Sequence, residues 1–426
     1  MQGKSRLLIL VLAVSLLISG LVLLPGAGQA LKGRVAVILD VGGRGDLSFN
    51  DMGFKGTDEA AADFGLQMDE IQSASDADYL PNTRNAAVSG NYDLIIGVGF
   101  LLTDAFNTVA AEFPNQKFAI IDSVVDQPNV MSIVFAENEG SALVGALSAM
   151  VAAFYGYPKV GVVLGIEIPV LYHFEAGFRF GIAWGLDWLN THFSGTKICF
   201  CLDLGCGYDQ AGVCGGTCEE RCIILPANVG LLWTYTGTFS DIALGKAASE
   251  AMLAQGAGLI YNVAGPLGIG DLEAVTEAVF AQGREAGPPF MIGVDANQDY
   301  LGDGHRVLAS MMKRVDRGCY KAVADVVNGT FQGGIVSLGV TNRGIAISRY
   351  QDLLDFIQFG ISAGVITTAD KDKIVTNWLT MRQQIPYWIW DAVSQLEMGI
   401  VSGKIVVPTA NTVAEMQAIR AQYPLP

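Results

Sequence analysis

Basic residues are scarce in this chain of 426. Lys and Arg number 26 against 42 Asp and Glu, a formal charge of −16. Phosphate-rich partners are held by clustered Lys and Arg, so nucleic acid and anionic membrane surfaces are excluded as ligands. Histidine is rarer still, and His173, His192 and His305 are too scattered for a metal triad. Charged residues make up only 16% and apolar residues 51%, which excludes disorder and requires a large buried core. Beyond residue 30 there is no apolar run of the roughly 18 residues a membrane span needs. Catalytic signatures are missing as well: no Gly-x-Ser-x-Gly elbow, no His-Glu-x-x-His helix, no Walker loop. Gly43-Arg44-Gly45-Asp46-Leu47-Ser48 only half-resembles a dinucleotide fingerprint, with Ser at the third glycine position. The expectation is a protein that is not an enzyme and needs no cofactor.

What is present begins with an address. Lys4 and Arg6 precede an apolar run from Leu7 to Leu24, and the small residues of 26–30 offer a cleavage point near Ala30. Residues 1–30 therefore read as a signal peptide, with an uncleaved anchor as the alternative. No cysteine follows to carry a lipid. The expected location is across the cytoplasmic membrane, periplasmic or at the cell surface.

From residue 34 short Val- and Ile-rich runs alternate with longer amphipathic ones. Val35–Leu39, Leu94–Val98, Phe118–Ile121 and Ser132–Phe135 read as buried parallel strands, with helices at 51–64, 103–113 and 137–155 between and after them. The alternation restarts after Pro158, with strands at Val160–Leu164, Leu232–Tyr235, Leu259–Val263 and Phe290–Val294. Repeated β-α units of this kind predict an α/β protein with two doubly wound lobes. In such sheets ligands bind beyond the carboxyl ends of the strands, so the polar residues just after each strand are the candidate site. Those segments carry carboxylates, glycines and aromatics but few cations, which suits a ligand with hydroxyls and a flat ring.

Asp40-Val41-Gly42-Gly43 and Asp46-Leu47-Ser48-Phe49-Asn50, followed by a helix, resemble the opening motif of the basic membrane protein family, the purine-nucleoside-receptor type of binding proteins of ABC transporters. Matches continue in order through Phe118–Asp122, Phe174–Gly181, Thr236–Asp241, Ala264–Gly270, Gly293–Gln298 and Ser310–Asp316, and Gly403–Pro408 is similar to the family's closing strand. The resemblance implies a type I periplasmic-binding-protein fold with a ligand cleft between the lobes. It implies a purine nucleoside as ligand and the membrane subunits of an ABC transporter as partners. Carried onto matching positions, Phe49 stacks on the base and Asp46 and Asn50 meet its edge. Asp122 and Asp295 take hydroxyl or ring N–H donors, Phe174 or Phe239 supplies the second stacking face, and Gly268 and Lys313 complete the set. Competing with these roles, an Asp after a strand is commonly a helix cap and a Phe a core residue. The expected division places 31–155 plus about 307–333 in the N-terminal lobe and 156–306 plus about 334–350 in the C-terminal lobe. Residues 351–426 then form a helical extension with a final strand at Lys404–Val407. The competing reading from another class is a cell-surface structural or assembly protein that reuses this fold.

Cys199, Cys201, Cys206, Cys214, Cys218 and Cys222 place six of the seven cysteines within 199–222, which reads as an insertion in the second lobe. In an oxidising compartment an even cluster predicts a disulfide-stapled excursion, here three bridges of open connectivity, with Cys319 left free. The alternative is a metal or iron–sulfur site, although no Cys-x-x-Cys occurs.

Overall fold

Two alternating series of strands and helices run through the computed structural model, which describes residues 31–202 and 219–426. The first series is β1 (Arg34–Leu39), α1 (Phe49–Phe64), β2 (Gln67–Gln72), α2 (Tyr79–Ser89), β3 (Leu94–Val98), α3 (Thr103–Glu112), β4 (Phe118–Ile121), β5 (Val130–Phe135) and α4 (Glu137–Tyr155). The second is β6 (Lys159–Leu164), α5 (Pro169–His192), β7 (Lys197–Leu202), β8 (Glu219–Ile224), β9 (Gly230–Tyr235), α6 (Ile242–Ala254), β10 (Ala257–Val263), α7 (Leu267–Ala281), β11 (Phe290–Asp295) and β12 (Val307–Lys313). The chain then returns through α8 (Val315–Val327), β13 (Gly334–Leu338) and β14 (Ile345–Ile347). It ends in α9 (Tyr350–Ser362), α10 (Lys371–Gln383), α11 (Tyr387–Val401) and α12 (Val413–Gln422). Residues 33–426 make up one unit; the segment read as a signal peptide lies outside the described residues.

The two series build two six-stranded sheets of the same order, β13-β5-β4-β3-β1-β2 and β14-β12-β11-β10-β6-β9. The first is parallel throughout, and in the second only β14 runs antiparallel. Central strands such as β1 and β10 are buried along nearly their whole length, which is why they read as continuous apolar runs. In each sheet the winding reverses once, between β1 and β3 and between β6 and β10, and the loops leaving those strands open a crevice.

The strand assignment corrects the expected lobe boundaries. β12 lies in the second sheet beside β11, with Asp295 opposite Met312, and β13 lies in the first beside β5, with Gly334 opposite Met131. Sequence had placed them the other way round. A strand's apolar run announces the strand but not its neighbour. The chain thus crosses between sheets through α4, through α8 and through residues 339–344.

Glycines allow the closest helix packing. A Cβ on Gly177 or Gly181 of α5 would stand 2.1 Å from the carbonyl oxygens of Asn138 and Ala142 on α4, and one on Gly185 would stand 3.0 Å from that of Ala146. Their four-residue spacing aligns one ridge of α5 with one groove of α4. A Cβ on Gly56 of α1 would likewise meet the carbonyl of Asp316 on α8 at 2.0 Å.

The extension is helical, but its final strand is not there. Residues 404–407 pair with no strand, and Val406 is 82% exposed. The Val407 and Pro408 carbonyls instead accept from Asn138 Nδ2 at 2.9 and 3.3 Å, which occupies the groups a ladder would need. α12 follows, opened by a Thr412–Glu415 capping box. β7 and β8 form the antiparallel stem of the insertion, with Cys199 opposite Cys222 and a disulfide joining them. Cys206, Cys214, Cys218 and the side chain of Cys201 lie outside the described residues. Cys319 is a buried free thiol.

Candidate functional site

The loop after β1 is built by three aspartates. Asp40 Oδ1 accepts from the Gly42 N–H at 2.9 Å and from Asn50 Nδ2 at 2.8 Å. Asp46 takes the N–H groups of Ser48 and Asp51 on one oxygen and that of Asn50 on the other, so it caps α1. Asp51 reaches back to the Gly45 and Leu47 N–H groups and to Arg44 Nε. Leu47, in the left-handed region at φ 51°, is held there by its bond to Asp51. This lattice fixes Phe49 and Asn50 at the start of α1 and carries them to the other lobe. The Ser48 hydroxyl lies 3.0 Å from the Val294 carbonyl and 3.1 Å from Asp295 Oδ2, and Gln298 Nε2 donates to the Leu47 carbonyl at 3.3 Å.

Asp122 directly follows β4 and Asp295 ends β11, equivalent strands of the two sheets, and both adopt the left-handed region at φ 66° and 61°. Asp tolerates that conformation better than most residues, but it remains a strained choice. Lys313, at the end of β12, stands beside Asp122. Its Nζ donates to Asp122 Oδ2 and lies 2.9 Å from Glu137 Oε1, with the rings of Phe49, Phe135 and Phe174 centred 5.2, 5.2 and 5.5 Å away. Three aromatic faces and two carboxylates thus hold one buried ammonium. Burial works against that charge, but Asp122, Glu137 and Asp295 outweigh it and push the lysine's pKa up.

These groups surround a cavity between the lobes. Asp46, Phe49, Asn50, Asp122, Phe174, Phe239, Asp295 and Lys313 all line it. Gly268 does not. α7 begins at Leu267, so Gly268 sits in its first turn against Asn262, whose Nδ2 would lie 2.0 Å from an added Cβ. Gly265 and Pro266, just before that helix, form the wall instead. Asp40, Gly99 and Phe100 also line the cavity; each follows a strand end and so falls in the segments that sequence marks as the candidate site, although the family motif assigns none of them a role. A Cβ on Gly99 would come within 2.7 Å of Asp40 Oδ2, so a glycine at φ 124° gives that carboxylate its room. Ile168, Val170 and Leu171, from the start of α5, had no sequence signal beyond being apolar.

The cavity presents acceptors. Asn50 Oδ1 and Asp122 Oδ1 are buried and have no partner among the described residues. Burial, helped by nearby Asp51, raises Asp46 to about 7. Burial also raises Asp122 to about 7 against the pull of Lys313, and Asp295 to about 6. Glu137 is pushed up by burial too, yet Lys313 and His173 more than offset this and hold it below its usual range. Near neutral pH the cavity is therefore a set of carboxyl groups poised to ionise when donors arrive.

Comparison with known proteins agrees with this architecture. The sequence model of the Bmp family, described as ABC transporter substrate-binding protein PnrA-like, matches residues 33–184 and 228–374, and the unmatched stretch between them holds the cysteine hairpin. An uncharacterised lipoprotein of Pyrococcus abyssi is 34% identical over 92% of this chain and 88% of its own. An ABC transporter nucleoside-binding protein, BmpA, of Lactococcus lactis is 30% identical over 79% of this chain and 89% of its own. An ABC transporter solute-binding protein of Aeropyrum pernix, known by crystal structure, superposes with a TM-score of 0.78 at 33% identity, over 92% of this chain and 97% of that one. The fold is thus that of the type I periplasmic-binding proteins. Among the described residues no helix is long and apolar enough to cross a membrane. With the family pattern on both lobes and a cavity between them, the chain belongs to the PnrA-like ABC transporter substrate-binding proteins, the basic membrane protein family.

Proposed function

We propose that the protein binds a purine nucleoside in the interlobe cavity, outside the cytoplasmic membrane, and delivers it to the membrane subunits of an ABC transporter. The observation that carries this reading is the pairing of ring faces with unpartnered acceptors: Phe49 and Phe239 on the wall, Asn50 Oδ1 and Asp122 Oδ1 without partners. A flat base fits between rings, and a ribose brings hydroxyl donors to carboxylates. The name of the Lactococcus lactis relative supports the same class of ligand.

In this reading Phe49 stacks on one face of the base. Phe239 takes the other, because Phe174 is buried within α5 whereas Phe239, like Phe49, is only half-buried. Both Asp46 oxygens already hold backbone N–H groups, so Asn50 Oδ1 meets the base edge. Asp122, Asp295 and Lys313 receive the sugar. Closure about the three crossing segments traps the ligand and signals occupancy to the transporter.

Thermal unfolding with added ligands tests the proposal, since anything that binds only the folded state raises the melting temperature. Adenosine, guanosine and inosine should each raise it well beyond adenine, guanine or ribose at equal concentration. No shift with any nucleoside, or a larger one with sugars, would overturn it.

A further inference from the structure

Lys313 donates to two carboxylates, but the two are not equivalent. Asp122 lines the cavity and keeps Oδ1 without a partner. Glu137, the first residue of α4, is 2% exposed and lies behind the wall. Its second oxygen is 3.0 Å from His173 Nδ1 on α5, and His173 Nε2 is 3.1 Å from Asn411 Oδ1 of the extension. A line of polar contacts therefore runs from the cavity through Lys313, Glu137 and His173 to residue 411. It ties β12, α4, α5 and the extension together.

We propose that Glu137 and His173 are a positioning pair for Lys313. Glu137 shares the ammonium with Asp122, holding it at 2.9 Å from the side away from the cavity, and His173 fixes Glu137 in the orientation that does so. This leaves one Asp122 oxygen and one ammonium N–H for the ligand's hydroxyls. The inference rests on the nucleoside reading for the identity of those hydroxyls, though not for the pairing itself. A lysine has three N–H donors on a flexible stem, and a buried ammonium takes whatever anions surround it. Without Glu137 the ammonium has only Asp122 in contact. Both Asp122 oxygens then turn to it, and the acceptor facing the cavity is lost.

The groups facing His173 are Glu137 from α4, Asn411 from the extension and the Lys313 charge from β12, with Asp122 and Asp295 beyond the lysine. Burial lowers the imidazole pKa, but Glu137 and Asn411 outweigh it and the net direction is upward. A raised histidine keeps its ion pair at low pH and loses it as pH rises through the folded value. Asp122 and Asp295 act oppositely, ionising only as pH rises through about 7 and about 6. Affinity should thus peak near neutrality, with an acid limb set by the aspartates and an alkaline limb set by His173.

Calorimetric titration of the full chain with adenosine and adenine between about pH 5.5 and 9 reads both limbs. Glu137→Gln should weaken adenosine about tenfold or more at neutral pH, spare adenine and erase the alkaline limb. His173→Asn keeps a donor for Glu137 but carries no charge at any pH, so it should bind throughout as the unsubstituted protein does at the foot of its alkaline limb, and show no such limb. A role confined to stability would move neither limb. A second arm needs no ligand: proton NMR of the three histidines. His173 should titrate above the ordinary imidazole value, fall in Glu137→Gln and rise in Lys313→Met, whose lost charge had been lowering it. If adenosine fails to bind the unsubstituted protein, the nucleoside reading falls and this titration alone decides the pairing. If Glu137→Gln fails to fold, His173→Asn and the Lys313→Met titration decide it. Unchanged affinity and pH profile in both variants, or a His173 midpoint indifferent to Glu137 and Lys313, would overturn the proposal.

Discussion

Phe174 and Phe239 line the same cavity but are held in different ways, and that difference separates their roles. Phe174 is 3% exposed within α5 and forms one wall of the cage around the Lys313 ammonium. Phe239 is half-buried on the loop between β9 and α6, over Gly165, where an added Cβ would meet its ring at 2.3 Å. Phe174→Ala should cost about 3–5 kcal/mol of stability, the usual range for emptying a buried aromatic site. Phe239→Ala should leave the melting temperature nearly unchanged and weaken a nucleoside by about 1–3 kcal/mol, the measured range for base–aromatic stacking. Denaturation curves and calorimetry on both variants check this, and unaltered affinity in Phe239→Ala would pass the second stacking face to Phe174 or Phe100. At this scale most of the cavity wall was legible, because chemistry at the carboxyl edge must come from residues just after strands. Asp46, Asp122 and Asp295 were found that way. Gly268 was not placed, because the start of α7 decides which glycine faces the cavity, and no local signal marks that start. Glu137 stands two residues after β5 but reads as an ordinary acidic residue in the first turn of α4, and His173 lies inside α5; three-dimensional packing alone brings both behind Lys313.

Among the helices, the contact of α4 with α5 lies on the route between the lobes, and its tolerance is set by single Cβ positions. Gly181→Ala places a methyl 2.1 Å from the Ala142 carbonyl, closer than any packed carbon lies, so the helices must part. Overpacking of this kind costs roughly 1–3 kcal/mol or more. Gly185→Ala meets its neighbour at 3.0 Å and gains about 1 kcal/mol of helix propensity, so its net effect should be small. Melting temperatures of the pair give the comparison, and equal losses would mean that the helices adjust as a body. Sequence showed these helices and the apolar strands well, since buried runs and helical periodicity are local properties. It did not show β2, whose edge position leaves Gln67–Gln72 largely polar, nor β13 and β14, which depend on the sheet they join. It also read Lys404–Val407 as a strand from its branched residues, whereas Asn138 holds the carbonyls that follow, and α12 came as an addition.

For the molecule as a whole, charge decides which version of a nucleoside can enter. The chain carries −16, and Asp40, Asp46, Asp122 and Asp295 all line the cavity. Its lining cation, Lys313, is already held by Asp122 and Glu137. The N-terminus of α1 would be a natural phosphate seat, but the Asp46 carboxylate occupies its N–H groups. A phosphate added to the sugar would therefore lose its hydration for at most the one N–H that Lys313 keeps free, and would sit among aspartates that ionise near neutral pH. Two parts of this penalty are separable. The long-range repulsion from the acidic surface is screened within a Debye length of about 10 Å at 0.1 M salt, whereas the mismatch inside the cavity is screened far less. Adenosine 5′-monophosphate should consequently bind at least ~100-fold more weakly than adenosine at low ionic strength, a gap of roughly 2.7 kcal/mol. Raising the salt should narrow that gap only in part. Calorimetric titration of both ligands at two salt concentrations measures each contribution. Comparable affinities at low salt would mean that Lys313 leaves Asp122 to receive the phosphate, while a gap abolished by salt would place the selection at the surface and not in the cleft.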